Sequence, residues 1–235
     1  MSDKQNVVGK IIVFVGIIAA GKSTGAKNAQ TYNKDSVIFE EPSIENPYLA
    51  LFYREPKKYG YVMQKYLFQN RKKSYIKAIE LSNKGIDCIL DTCVHFDWVY
   101  AYLNYKYEGN ISKGNFDKYK KEYDNVLEKL RKPDIIIHLK CSPEVAYLRN
   151  KRRSESVEGR ECESVIPLSY FQNQKKSLKI WLDSMEDKSR IIHLDWNMFG
   201  ISLCEDIEDC YYYLKSFDIE SMYQDIFHKD EKSCI

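Results

Sequence analysis

Eight consecutive residues, Gly16-Ile17-Ile18-Ala19-Ala20-Gly21-Lys22-Ser23, constrain this chain more than any others, because they match G-x-x-x-x-G-K-[ST] in a telling setting. A compact β-branched run, residues 10–15, leads into them, and a helix is predicted to begin near Gly21. Glycines at both ends let successive backbone N–H groups turn inward around an anion, and the helix N-terminus that follows adds a favourable dipole. Gly16, Ala19, Ala20, Gly21, Lys22, Ser23 and Thr24 are therefore the candidate triphosphate-binding residues. In this reading the Lys22 ammonium lies on the β- and γ-phosphates and the Ser23 hydroxyl on Mg2+. An accidental match in a glycine-rich turn is the alternative, and the flanking strand and helix argue against it. The pattern leaves the phosphate acceptor open.

The remainder of the chain keeps the same alternation. Strands are predicted over 37–40, 87–90, 134–139 and 190–194, and helices over 61–82, 114–131, 143–153 and near 205–216. Strands separated by helices of this length make βαβ units and a parallel sheet. An unbroken apolar strand such as 135–137 fits a sheet covered on both faces. No internal repeat or low-complexity linker interrupts the pattern. The expected architecture is one α/β domain of the P-loop NTPase type, a parallel sheet flanked by helices. Its core spans about residues 10–217 of the 235, and a polar tail occupies about 218–235.

A formal net charge of only +2 gives no global reason to expect a nucleic-acid or membrane partner. The longest apolar run, residues 11–20, is too short to span a bilayer, and the polar start MSDKQNVVGK is unlike a secretory signal. Seven cysteines without a CxxC pair read as free thiols in a reducing, cytoplasmic setting.

Beyond the phosphate motif, the order and spacing of several short segments carry a resemblance. Glu41-Pro42 follows the second predicted strand, then come Asn46-Pro47-Tyr48-Leu49 and Phe52-Tyr53-x-x-Pro56. Met63-Gln64-x-Tyr66 and Arg71 lie on the next helix. Pro133-Asp134-Ile-Ile-Ile-His-Leu, Pro143-Glu144, an arginine-rich segment and Ile166-Pro167-Leu168-Ser169-Tyr170 follow in turn. Over nearly its whole length the chain resembles the deoxynucleoside kinase family. The resemblance implies transfer of the γ-phosphate of ATP, with Mg2+, to the 5′-hydroxyl of a deoxynucleoside in nucleotide salvage. It also implies a homodimer and an arginine-bearing lid over the phosphates.

The residues themselves make that chemistry reasonable. Glu41 sits just past a strand's carboxyl end, where an open α/β sheet places its ligand crevice. A carboxylate there can accept the proton of an attacking hydroxyl, and the resemblance makes it the general base; a surface carboxylate before a turn proline is the plain alternative. Gln64 offers a donor and an acceptor on one amide, and Arg71, seven residues later, shares its helix face. The resemblance sets both, with Asp97, at the base. Thymidine-preferring relatives replace the Arg–Asp pair, so an amino-bearing base (adenine, cytosine or guanine) is expected; an ordinary surface ion pair is the alternative. By resemblance, Tyr53 and Glu163 hold the sugar 3′-hydroxyl. Arg149 and Arg153, four apart on one helix face, match the first two lid arginines, with the role of stabilising the phosphoryl group in transit. Residues 154–159 read as an insertion that displaces the third, Arg160. A solvated basic face is the alternative for the whole run.

One departure stands out. The family carries Asp/Glu-Arg-Ser at the end of its third strand, and this chain has Asp91-Thr92-Cys93. Asp91 keeps the acidic position that serves the Mg2+ shell. Thr92 supplies neither the charge nor the reach of the arginine that bridges base and phosphates in relatives. Lys151, Arg152 and His95 are candidate replacements. Two rival functions follow: a nucleoside monophosphate kinase of the same fold, and a nucleotide-binding regulatory module with weak or no turnover.

Overall fold

The structure is a computed structural model that describes residues 8–41, 45–197, 223, 226 and 227. Pro42 and the predicted helix near 205–216 lie outside the described residues. Five strands form one all-parallel sheet: β1 (Ile11–Val15), β2 (Val37–Phe39), β3 (Cys88–Asp91), β4 (Ile135–Lys140) and β5 (Arg190–Asp195). Their spatial order is β2-β3-β1-β4-β5. In register, Phe14 pairs with Asp91 on one side and Ile137 on the other. All of β1 is fully buried, as a parallel strand covered on both faces must be.

Helices connect the strands: α1 (Lys22–Tyr32), α2 (Leu49–Arg54), α3 (Pro56–Ser82), α4 (Asp97–Lys106), α5 (Lys113–Leu127), α6 (Pro143–Ser156) and α7 (Leu168–Asp183), with a 3-10 turn at Glu161–Val165. Three differ from the predicted spans for physical reasons. α3 starts at Pro56 rather than at 61, because proline at the first turn sacrifices no helical hydrogen bond. α5 stops at Leu127, before the 131 predicted, and Arg131 instead turns to bind Asp134 and Ser82. α6 runs past Arg153 to Ser156, so half of the expected insertion is helix. Helices α2, α4 and α7 were not predicted at all.

Close packing sets α1 against the sheet. A Cβ on Gly25 would stand 2.9 Å from the Phe14 ring, so only glycine lets the helix approach β1 this closely. Tyr223 and Ile226 are fully buried, although they fall in the segment expected to be a polar tail. The Tyr223 ring lies 4.9 Å from that of Tyr32 at the end of α1, its hydroxyl donates to the Gly25 carbonyl at 3.4 Å, and Lys10 Nζ donates to the Ile226 carbonyl at 2.5 Å.

Candidate active site

The turn after β1 builds the cradle. Ala19 (φ 57°) and Gly21 (φ 96°) both take left-handed backbone, and α1 begins at Lys22 with no side-chain cap on its first N–H groups. Those amides are left for an anion. Lys22 Nζ donates to the Gly16 and Ile17 carbonyls at 3.3 and 3.1 Å, and burial lowers its pKa while Asp91 and Glu41 oppose the shift. Ser23 donates its hydroxyl to Asp91 Oδ2. Asp91 Oδ1 is buried without a hydrogen-bond partner, and burial raises the carboxyl's pKa against the pull of Lys22 and Ser23. This hard-oxygen pair suits a Mg2+ ion that takes its other ligands from phosphate and water. Among the described residues no group of three or more His, Cys, Asp or Glu could hold a metal by itself.

A cavity of about 550 Å3 runs from this cradle along the carboxyl ends of the strands. Glu41, Tyr53, Gln64, Arg71, Asp91, Arg149, Arg153, Arg160 and Glu163 all line it together with Lys22, Ser23 and Thr24, so most of the residues picked from sequence meet in one place. Asp97 does not line it. Its carboxylate is fully buried behind the wall and accepts from Arg71 Nη1, from Gln64 Nε2 at 2.7 Å and from the Tyr119 hydroxyl at 2.7 Å. Asp97 thus orients the two residues that do face the cavity.

Arg71 is the cation at Glu41. Its Nε and Nη2 both reach Glu41 Oε1, at 2.7 and 2.6 Å, which leaves Oε2 for a hydroxyl proton. Of the candidates to replace the arginine absent at Thr92, His95 faces elsewhere, with Nε2 3.1 Å from the Arg131 carbonyl, and Arg152 lines the cavity. Thr92 itself is buried in left-handed backbone (φ 74°), its hydroxyl unpartnered, beside a second cavity of about 230 Å3.

At the opposite wall, Glu163 receives Arg153 at 2.7 Å on one oxygen and Arg160 at 2.6 Å on the other. Arg160 therefore reaches the cavity despite its displacement in sequence. Arg149 donates to the Ala20 carbonyl at 3.2 Å and to the Trp196 carbonyl at 2.7 Å, tying α6 to the phosphate loop. The Tyr53 phenol is pushed well up by burial, then by Tyr170 and Glu163, so it stays a neutral hydroxyl. Ile18, Tyr100 and Asn104 also line the cavity and were not singled out in the sequence. Tyr100 lies three residues after Asp97, a spacing that means something only once α4 is known to be a helix.

A glycine-turn cradle on a parallel sheet, a metal-suited Ser–Asp pair and a carboxylate facing the same cavity define a P-loop phosphotransferase. The model of the family described as deoxynucleoside kinase matches residues 12–226, and the chain belongs to that family. A deoxyguanosine kinase of Dictyostelium discoideum is 37% identical over 206 residues, covering 85% of this chain and 68% of that one. A deoxyadenosine kinase of the same organism is 32% identical over 83% of this chain and 76% of that one. Among solved structures, deoxyadenosine kinase from M. mycoides with products dCMP and a flexible dCDP bound is similar at a TM-score of 0.70 and 26% identity, over 90% of this chain and 99% of that one.

Proposed function

We propose that this enzyme moves the γ-phosphate of ATP, as its Mg2+ complex, onto the 5′-hydroxyl of a deoxynucleoside whose base bears an amino group. The observation that carries the base preference is the fixed orientation of Gln64. A carboxylate only accepts hydrogen bonds, so the Gln64 nitrogen must face Asp97 and its Oε1 is left buried and unpartnered at the cavity wall. An acceptor there suits the N–H groups of adenine, cytosine or guanine. Thymine has a single N–H flanked by two carbonyls and no exocyclic amino group, so a carbonyl in the amino group's place would face the Gln64 oxygen. That mismatch leaves buried polar groups unpaired, a costly outcome.

The placement of the residues supports the following roles. Lys22 and the loop amides bind the triphosphate, and Ser23 with Asp91 would hold a Mg2+ ion, which would screen the phosphate charge. Glu41 Oε2 takes the hydroxyl proton while Arg71 fixes the carboxylate. Tyr53 and Glu163 orient the sugar, and Arg149 and Arg153 stabilise the phosphoryl group in transit. We propose further that the chain acts as one domain, as a cytoplasmic homodimer, without a nucleic-acid or membrane partner. No helix among the described residues is long and apolar enough to cross a membrane.

A coupled assay with ATP tests the proposal. One of deoxyguanosine, deoxyadenosine or deoxycytidine is expected to turn over at least about 10-fold faster than thymidine. Turnover of deoxynucleoside monophosphates instead would establish a monophosphate kinase. ATP binding with no turnover of any deoxynucleoside would establish the regulatory module.

A further inference from the structure

Gln174 belongs to no motif read from the sequence, yet it reaches the phosphate loop. It lies on α7 and is fully buried. Its Oε1 accepts the backbone N–H of Ile18, the third residue of the loop, at 2.9 Å. Gln174 does not line the cavity, so this amide points into the protein and away from a ligand. Immediately after it, Ala19 and Gly21 take left-handed backbone, and the Ala20 N–H closes a turn on the Ile17 carbonyl at 3.1 Å. Alternation of this kind turns successive amides inward around an anion. The pinned Ile18 amide is where it starts.

The support behind the contact is firm. Phe171, Leu178 and Trp181 on the same helix are buried, and Trp181 Nε1 donates to the His95 carbonyl at 2.7 Å. Packing alone does not account for an amide at this position. Its Nε2 has no hydrogen-bond partner among the described residues, and a buried donor left unpaired costs stability. A methionine would fill similar space and exchange that orphan donor for another, the Ile18 N–H, with little net change in stability.

Two charged groups also hold the loop. Lys22 Nζ donates to the Gly16 and Ile17 carbonyls, and Arg149 Nη1 donates to the Ala20 carbonyl. In the function proposed above both serve phosphate oxygens, so a bound triphosphate competes with the loop for them. Gln174 is neutral and faces no ligand. Its grip on the loop has no such competitor, whether the site is empty or filled.

We infer that Gln174 is a positioning residue that keeps the phosphate loop in its anion-binding shape before the nucleotide arrives. The inference rests on the function proposed above and adds to it a source of affinity for ATP. A loop already ordered in the empty protein does not have to be ordered during binding.

The test is calorimetric binding to the full chain of two ligands, each alone: the Mg2+ complex of AMP-PNP, a non-hydrolysable ATP analogue, and the deoxynucleoside that turns over fastest. Gln174→Met is expected to weaken the analogue about 5- to 30-fold, the range that ordering one residue's backbone represents. The KM for ATP is expected to rise with it, while kcat stays within about threefold and deoxynucleoside affinity within about twofold. A purely structural role would lower the melting temperature and weaken both ligands together, and that result overturns the inference, as does native affinity for the analogue. If Gln174→Met fails to fold, hydrogen exchange of the Ile18 amide in the native chain, followed by NMR, decides. The amide is expected to exchange slowly both without ligand and with saturating analogue, and free exchange in the empty chain overturns the inference. A native chain that binds the analogue but phosphorylates no deoxynucleoside overturns the proposed function alone, because analogue affinity and Ile18 exchange still judge Gln174. A native chain that does not bind the analogue overturns both.

Discussion

At the scale of single residues, Glu41 and His95 make opposite uses of burial. Glu41 keeps one oxygen unclaimed at the edge of a cavity, as a proton acceptor needs. Glu41→Gln preserves shape and removes basicity, so kcat is expected to fall about 100-fold or more while calorimetric affinity for AMP-PNP holds. Unchanged turnover would reject Glu41 as the base. His95 is 1% exposed, and burial holds its pKa down to about 4, with the Arg131 carbonyl opposing. A carbonyl only accepts, so Nε2 carries the proton and the ring is neutral. Between about pH 6.5 and pH 4 the unfolded chain takes up a proton that the folded one does not, so stability falls as pH falls through that window. The loss from this residue is about 3 kcal/mol, and His95→Gln, which keeps a donor for Arg131, is expected to flatten that limb in urea titrations. Parallel acid limbs in the two proteins would show that other groups dominate.

At the scale of elements, α6 carries Arg149 and Arg153 on a helix start built from local chemistry. Ser142 Oγ accepts the Val145 N–H at 3.2 Å and Pro143 occupies the first turn. Ser142→Ala is expected to cost about 1 kcal/mol, read as a lower urea midpoint at unchanged slope. This start was legible in sequence because capping is a short-range rule. The same is true of β1 and the cradle, where a β-branched run, two glycines and a helix-forming stretch agree. Helix α4 was not legible. Its sequence DWVYAYLNYK is apolar or aromatic on most sides, so neither the helical nor the strand period stands out. In α7, Phe171, Leu178, Trp181 and Leu182 do recur at helical spacing, but the polar run between them hides the stripe. Side-chain direction was hidden too: the resemblance groups Arg71 with Asp97, and the two do form an ion pair, yet nothing in the sequence says that Asp97 lies behind the wall. Gln174 fell outside every pattern because its partner is a backbone N–H some 156 positions away.

At the scale of the whole molecule, the cavity draws its wall from segments far apart in the chain, from the turn after β1 to Tyr170. A ligand that fills it ties these distant segments together, which is the physical basis for stabilisation by substrate binding. The burial of Tyr223 and Ile226 extends the same logic beyond the cavity. Their seats are the flank of α1 and the ammonium of Lys10, so the phosphate loop's own helix leans on chain 198 positions downstream. Trimming the chain back past Tyr223 would therefore strip a prop from the nucleotide site while sparing every described residue that lines it.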